Sequence, residues 1–256
     1  MQQPYQKIVE IGNGAFGRCF LCKDSNGTSI VLKKVCDDNN DAVNEARIIS
    51  RLKHKNIVQC FETYRSARSI YMVLEYMEGG NLDALIKARE ERSFSDQTVL
   101  SYCLQISGAL AYVHSKSIVH RDVKPSNILL DAEYKIVKLA DFGISVELDD
   151  GKQASGRLGT SAYMSPEILE GREFDFKADI WALGCVLYEL VERKRAFAGG
   201  SELAIQYKIC SGTYSLSVDS RFKKLIQAML VSSASARPDA KGVIDQLMST
   251  VNCNTP

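Results

Sequence analysis

Short runs of apolar residues dominate the first third of the chain. They are rich in β-branched and aromatic side chains, which predicts strands at residues 5–11, 18–23, 29–35, 57–64 and 70–76. Residues 24–27, Asp-Ser-Asn-Gly, are typical of a hairpin turn between the second and third strands. Residues 39–41, Asn-Asn-Asp, can cap a helix that we expect to run to about Lys53.

From residue 81 onward the apolar spacing changes to the 3.6-residue period of helices. Helices are predicted at residues 97–115, 179–192, 221–230 and 241–251. The sequence therefore predicts an α+β fold made of one domain, about residues 5–251. Its small β-rich lobe is expected at residues 1–74, a hinge at 75–80 and a larger helical lobe at 81–256.

The bulk properties narrow the possible partners. The 256 residues carry a formal net charge of +1, which gives no electrostatic reason to expect nucleic acid or a membrane. No apolar run approaches the roughly 20 residues of a membrane span, and the first residues lack the apolar segment of a signal peptide. A cytoplasmic or nuclear setting is therefore expected, and eight scattered cysteines fit it if they are reduced.

Cys19 and Cys22 form a C-x-x-C pair, but no second pair or histidine cluster completes a zinc site. Positions i and i+3 of a strand also point to opposite faces. We expect both cysteines to have a packing role.

Residues 120–127, His-Arg-Asp-Val-Lys-Pro-Ser-Asn, carry the strongest chemical signal. Asp122, Lys124 and Asn127 place an acid, a cation and an amide in one short loop. This set can orient a hydroxyl, neutralise a moving phosphoryl group and hold a metal ion. Fourteen residues after Asn127 comes Asp141, followed by Phe-Gly, which supplies a second acid.

Residues 12–17, Gly-Asn-Gly-Ala-Phe-Gly, match G-x-G-x-x-G, a weak motif when it stands alone. A dinucleotide-binding fold needs a helix directly after it, whereas a strand is predicted here. A P-loop needs Lys and Ser/Thr where Arg18 and Cys19 stand. A glycine hairpin that folds over phosphate oxygens remains, with an ordinary glycine turn as its alternative.

Lys33 and Lys34 both lie on the third predicted strand. Lys34 is expected to be a solvated edge residue, and Lys33 to point into the cleft toward Glu45. Glu45 needs a buried partner because it shares a helix face with apolar residues. Such an ion pair would aim the lysine ammonium at nucleotide phosphates.

Together these motifs resemble those of eukaryotic protein kinases. Four later motifs follow in that family's order: Gly159-Thr160, Ser165-Pro166-Glu167, Asp-Ile-Trp-Ala-Leu-Gly at 179–184 and Arg237-Pro238. The resemblance implies a bilobal kinase fold and transfer of the γ-phosphate of ATP to a protein. Lys124 with Thr160 indicates the serine/threonine branch.

The resemblance also implies roles for individual residues. Asn127 and Asp141 would hold Mg²⁺, with Mn²⁺ as an alternative metal. Asp122 would be the catalytic acid and Lys124 would stabilise the transferring phosphoryl group. Glu167 would pair with Arg237, Asp179 would brace the catalytic loop, and His120 would stack near Phe142. Residues that would surround the nucleotide are Ile11, Gly12, Gly14, Gly17, Cys19, Val31, Lys33, Glu45, Leu74, Glu75, Met77, Leu129 and Asp141.

Within the family, the chain is most similar to the NIMA-related (NEK) kinases. The similarity lies in residues 71–82, 163–167 and 179–190. It implies Leu74 as gatekeeper, backbone contacts to adenine from Glu75 and Met77, and a cell-cycle, cytoskeletal or ciliary role. The span from Lys33 to Glu45 is twelve residues, several fewer than protein kinases generally have.

The chain departs from its resemblance near residue 156. NIMA-related kinases often carry an activating phosphate at the position of Gly156, and Ser155 lies beside it. Arg121 is the residue that normally pairs with such a phosphate. We therefore hypothesise that Ser155, or else Thr160 or Ser161, is autophosphorylated; the rival hypothesis is that the short Lys33–Glu45 connection holds the helix inward without phosphate.

Cys19 stands where protein kinases usually have valine. Its side chain is expected to be either an inert small hydrophobe or a reactive thiol.

Two further hypotheses compete with an active protein kinase. A pseudokinase scaffold would share the fold, although such proteins usually lack one of the charged residues present here. A small-molecule kinase is disfavoured by the complete peptide-side motifs around residues 160–167.

Overall fold

A five-stranded antiparallel sheet forms the first third of the molecule in the computed structural model, which describes residues 5–14, 17–36, 40–89, 93–149, 152–156, 158–216 and 220–252. The strand order is β1-β2-β3-β5-β4. The strands are β1 Gln6–Gly14, β2 Gly17–Lys23, β3 Ser29–Cys36, β4 Cys60–Ser66 and β5 Ser69–Glu75. The predicted hairpin joins β2 to β3, where the Asp24 carboxylate accepts hydrogen bonds from two backbone N–H groups.

Helix α1, Asn40–Ile49, lies against this sheet through β5. It ends four residues before the predicted Lys53, since residues 51 and 52 close tighter turns on Ile48 and Ile49. Asn39, one of the expected caps, lies outside the described residues.

The remainder of the chain is mainly helical, as predicted. The helices are α2 Leu82–Ala88, α3 Asp96–His114, α4 Pro166–Leu169, α5 Lys177–Glu192, α6 Glu202–Ser211, α7 Lys223–Met229 and α8 Ala240–Asn252. Buried α5 is the centre of this part and packs on α3 and α7. Trp181 on α5 is fully buried and stacks on Phe197 at 5.4 Å between ring centroids. No helix of the described ranges is long and apolar enough to cross a membrane.

Two short strand pairs hold the loops that carry the chemical motifs. They are β6 Ile118–Val119 with β9 Val146–Glu147, and β7 Ile128–Leu130 with β8 Val137–Leu139. Residues 120–127 directly follow β6 of the first pair, and Asp141 lies two residues after the end of β8 in the second pair. Because both ladders are buried or half-buried, they fix the ends of these loops.

The sequence prediction was wrong at several boundaries. The strand predicted at 57–64 begins only at Cys60, because Ile57 and Val58 pair instead with Leu139 of β8. Helices α2, α4 and α6 were not predicted. The Asn81 side chain caps α2 by accepting a hydrogen bond from the N–H of Ala84 at 2.8 Å.

Candidate active site

A cavity of about 330 Å³ lies between the sheet and the helical part of the molecule. Eleven residues predicted at the site line it: Ile11, Gly12, Cys19, Val31, Lys33, Glu45, Leu74, Glu75, Asn127, Leu129 and Asp141. Apolar walls with a few convergent charged groups at one end are typical of a small-molecule site. Of the other residues predicted at the site, Gly17, Met77, Asp122 and Lys124 do not line the cavity.

A buried lysine joins the sheet, α1 and the loop at Asp141. Lys33 Nζ lies 2.5 Å from Glu45 Oε1 and 3.1 Å from Asp141 Oδ1, so the ion pair expected from the sequence is present despite the short connection. Burial by itself would lower the pKa of Lys33, but the charges of Glu45 and Asp141 outweigh it and raise the pKa. The ammonium group therefore stays charged at the edge of the cavity.

The glycine motif forms a strand–turn–strand, as the hairpin interpretation required. β1 and β2 pair in antiparallel register up to Gly14 opposite Gly17, while Ala15 and Phe16 lie outside the described residues. Gly17 has φ 106°, and a Cβ there would lie 2.4 Å from the Lys34 carbonyl oxygen. Only glycine fits this position, because its backbone is left-handed and packed directly on β3.

The end of β5 forms another part of the cavity wall. Leu74 pairs with Val31 across the sheet, and both line the cavity. The Glu75 side chain is held by Lys138 Nζ at 2.6 Å, while its backbone N–H donates to the Gln59 carbonyl. That N–H is unavailable to a ligand, so a contact to adenine at this residue falls to its carbonyl oxygen.

The loop at 120–127 forms a second cluster beside the cavity. Lys124 Nζ lies 2.7 Å from Asp122 Oδ2 and donates to the Thr160 hydroxyl at 2.7 Å. That hydroxyl donates to Asp122 Oδ1 at 3.2 Å. Asn127 donates through Nδ2 to Asp122 Oδ2 at 2.8 Å and itself lines the cavity, so it links the two clusters.

Asp179 braces this loop, as predicted. Its buried carboxylate accepts hydrogen bonds at 2.8 Å from the backbone N–H groups of His120 and Arg121, and it lies 2.8 Å from His114 Nε2. His120 packs edge-on against Phe142 at 4.7 Å between ring centroids. Burial lowers the pKa of His120, which keeps this imidazole neutral and structural.

A buried ion pair far from the cavity was also expected and is present. Arg237 donates to both Glu167 oxygens, at 2.7 and 2.8 Å, and its guanidinium lies 4.9 Å from the centre of the Trp181 ring. Burial would raise the pKa of Glu167, but the hydrogen bonds and charge of Arg237 outweigh it and lower the pKa. This pair ties α4 to the segment before α8.

Among the described residues, five that line the cavity were not predicted from the sequence: Ile49, Val58, Ser126, Ala140 and Phe142. Two of them had a usable signal. Ile49 follows Glu45 by one helical turn, and Phe142 follows Asp141 directly. Val58 had none, because its place depends on the pairing of its segment with β8.

Cys19 is expected to be an unreactive thiol. It is partly buried on the cavity wall, and burial raises its pKa despite the nearby charge of Lys33. Iodoacetamide at pH 7.5 should therefore modify Cys19 about tenfold more slowly than exposed Cys36 and Cys210, as measured by peptide mass spectrometry. Modification of all three at equal rates would contradict the assignment.

Comparison with known proteins agrees with this geometry. The model of the protein kinase domain family matches residues 5–248. Serine/threonine-protein kinase Nek8 of Danio rerio is 35% identical over 99% of this chain and 37% of its own length. Serine/threonine-protein kinase nekl-2 of Caenorhabditis elegans is 36% identical over 96% of this chain and 73% of its own length.

Mouse serine/threonine-protein kinase Nek9 is 34% identical over 94% of this chain, which spans 26% of that protein. The similarity thus covers almost the whole chain in each comparison and includes the cavity and both charged clusters. The chain belongs to the protein kinase family and, within it, to the Nek serine/threonine kinases.

Proposed function

We propose that this chain transfers the γ-phosphoryl group of Mg·ATP to serine or threonine hydroxyls of protein substrates. The observation that carries the proposal is the convergence of two charged clusters on Asn127. Lys33, Glu45 and Asp141 lie on its cavity side, and Asp122 with Lys124 lies on the other. The division into lobes at residues 1–74, 75–80 and 81–256 remains part of this proposal.

The cavity suits a nucleotide with its base toward β5 and its phosphates toward Lys33. Val31, Leu74 and Leu129 supply the apolar surface for a purine, and the Glu75 carbonyl supplies a hydrogen-bond acceptor. Glu45 holds the Lys33 ammonium, so this cation is positioned before the ligand arrives. Such preorganisation reduces the free energy needed to order the charged group during the reaction.

The residues at the cavity edge fit a divalent cation that is shared with phosphates. Asp141 offers a carboxylate, and the Asn127 amide uses Nδ2 for its bonds to Asp122, which leaves Oδ1 for a metal. Mg²⁺ in nucleotide sites is usually held by one or two protein oxygens together with phosphate oxygens and water. When bound, it would neutralise charge on the phosphates.

The cluster at Asp122 suits an incoming hydroxyl group. The Asp122 carboxylate already accepts a hydrogen bond from the Thr160 hydroxyl, which supports the binding of an alcohol group at this position. An acceptor serine or threonine would lie in the same way, with its proton directed at Asp122. Lys124 would then offset the negative charge of the moving phosphoryl group.

A transfer assay separates this function from a nucleotide-binding scaffold. The chain is incubated with radiolabelled ATP, Mg²⁺ and an arrayed library of serine, threonine and tyrosine peptides. We expect labelling of serine and threonine peptides only. Transfer no greater than that of the Asp141→Asn variant would overturn the enzyme assignment. We infer an intracellular setting, cytoplasmic or nuclear, and a cell-cycle, cytoskeletal or ciliary role from the resemblance to NIMA-related kinases alone.

Ser155 is the proposed site of autophosphorylation. It is exposed, and the adjacent Gly156 carbonyl accepts a hydrogen bond from Arg121 Nη2 at 3.0 Å. Arg121 Nε is buried without a hydrogen-bond partner in the described part of the chain, so the guanidinium can accommodate a further acceptor. After incubation with Mg·ATP, mass spectrometry should find phosphate on Ser155 and none in the Asp141→Asn variant. No phosphate anywhere in residues 144–161 would contradict this prediction.

The rival explanation, activity without phosphate, has its own structural support. Glu147 of β9 lies 2.6 Å from Arg47 Nη1 and 3.3 Å from Arg51 Nη1, and Asn44 donates to the Ser145 carbonyl at 2.9 Å. These contacts hold α1 against the segment that follows Asp141. Undiminished activity after phosphatase treatment would favour activity without phosphate. A large loss of activity would favour activation by phosphorylation of Ser155.

A further inference from the structure

Helix α6 has an apolar pattern that does not suit a helix. Its large apolar residues recur at every second position: Leu203, Ile205, Tyr207 and Ile209. The helix nevertheless forms, with the Ser201 side chain capping its start and Gly212 ending it at φ 63°. At about 100° per residue, alternate side chains of a helix lie on opposite faces. Half of these apolar residues must therefore face outward.

The two residues that face outward, Leu203 and Tyr207, are the most exposed large apolar side chains among the described residues. Leu203 is 76% exposed and Tyr207 is 74% exposed, whereas the other large exposed hydrophobic side chains there reach at most 54%. The two are one turn apart and lie side by side; we call them the α6 ridge. Contiguous exposed apolar surface on a soluble protein is a feature of interaction sites, which makes the α6 ridge a candidate contact surface.

One flank of the ridge adjoins the proposed acceptor site. Glu202, the first residue of α6, accepts a hydrogen bond from the Ser161 hydroxyl. Ser161 follows Thr160, whose hydroxyl is bonded to Asp122. Residues 160 and 161 therefore connect the start of α6 to the proposed acceptor site.

The other flank carries positive charge. A cavity of about 350 Å³ there is lined by three cations, Lys194, Arg195 and Lys208, and by no carboxylate of the described residues, which exclude 217–219. Lys208, one position beyond Tyr207, is fixed by donating to the Ala198 carbonyl at 2.6 Å. Buried Glu189 lies outside this cavity and offsets part of the positive charge of Arg195. The positive charge of the cavity therefore comes mainly from Lys194 and Lys208. We call this the basic cavity.

We propose that the α6 ridge and the basic cavity together dock protein substrates. The docked segment would place an apolar side chain on Leu203 and Tyr207 and an aspartate or glutamate in the basic cavity, at a distance from its acceptor residue. This inference rests on the proposed function and adds a chemical class of substrate to it. Apolar contact would supply affinity, and the charges would set the register of the segment.

A second copy of this chain fits the same surface less well. A two-fold contact through the ridge pairs the same surface of two copies, and with the axis across the ridge the two basic cavities would face each other. Like charges across an interface oppose association. A partner that brings its own carboxylate meets no such repulsion, which favours a substrate segment over self-association.

The first test is a selection of peptides from a random displayed library. The wild-type chain is compared with a Leu203→Asp/Tyr207→Ser variant, a Lys194→Glu/Lys208→Glu variant, and Met248→Asp on α8 as a matched exposed control. Wild type and control should enrich peptides with an apolar residue a few positions from an acidic one. Both docking variants should lose these peptides. The absence of any enrichment that depends on the ridge would overturn the proposal.

The second test links docking to catalysis. A selected peptide is fused, on either side, to a fixed short acceptor peptide. For the wild type, the fusion should lower KM about tenfold or more at unchanged kcat, because docking raises the local acceptor concentration. For the ridge variant, Leu203→Asp/Tyr207→Ser, KM should be the same for the fused and the unfused peptide. Its rate on the unfused peptide should equal that of the wild type.

These outcomes separate the two proposals. Failure of the wild type to phosphorylate either the fused or the unfused acceptor would refute the proposed enzymatic function itself. Normal activity without a KM gain from fusion would overturn substrate docking alone. Substrate docking would also be overturned if analytical ultracentrifugation found a dimer of the wild type and only a monomer of the ridge variant. The ridge would then bind a second copy of the chain.

Discussion

Replacing Asp141 with asparagine is expected to lower kcat by about 10³-fold or more. The substitution removes the carboxylate charge proposed to hold the metal, and with it the charge 3.1 Å from Lys33 Nζ. Asparagine is nearly the same size and tolerates the left-handed backbone at this residue, φ 64°. The loss should therefore come from the missing charge and not from strain.

The measurement is steady-state transfer from ATP over a range of Mg²⁺ concentrations. The variant should need more metal, and its melting temperature should remain within a few degrees of the wild type. Asp96→Asn is a matched control, because Asp96 is exposed and its nearest ion-pair contact is 3.5 Å away. A variant at residue 141 with more than a tenth of wild-type kcat would contradict the metal-binding assignment.

Replacing Arg237 with alanine is expected to destabilise the fold by about 3–5 kcal/mol. The change leaves the Glu167 carboxylate buried without its bidentate partner, and carbonyl oxygens of Lys177 and Val231 lose a donor. For a chain of this length such a loss lowers the melting temperature by about 10 °C. Arg172→Ala is the control, because the Arg172–Glu170 pair is exposed and contributes about 1 kcal/mol or less.

The same pair predicts how stability changes with pH. Since the pKa of Glu167 is lowered in the folded chain, its contribution is present above the pKa of the unfolded carboxyl and is lost as pH falls through the folded value. Urea unfolding should therefore show that the difference between wild type and Arg237→Ala shrinks on acidification. A difference that stays constant from pH 7 to pH 3 would contradict the ion-pair explanation.

The fold class was predictable because local pattern and local structure agree over most of the chain. The short runs of β-branched and aromatic residues form the sheet, and buried α5, predicted at 179–192, forms at Lys177–Glu192. The clearest exception is α6, where apolar residues alternate as in a strand and the capping residues Ser201 and Gly212 mark the helix ends. A pattern search cannot detect such a helix, because its period conflicts with 3.6 residues per turn.

The sequence by itself determined the chemical groups and their order, since residues 120–127 and Asp141 carry their acids, cation and amide within short segments. Only the tertiary structure decided which groups meet. Lys33 and Asp141 are 108 residues apart, and the sheet, α1 and the β7–β8 ladder bring them to 3.1 Å. It also decided that Leu203 and Tyr207 face outward beside a basic cavity. Contacts at such separations depend on how whole elements pack, and no local periodicity encodes them.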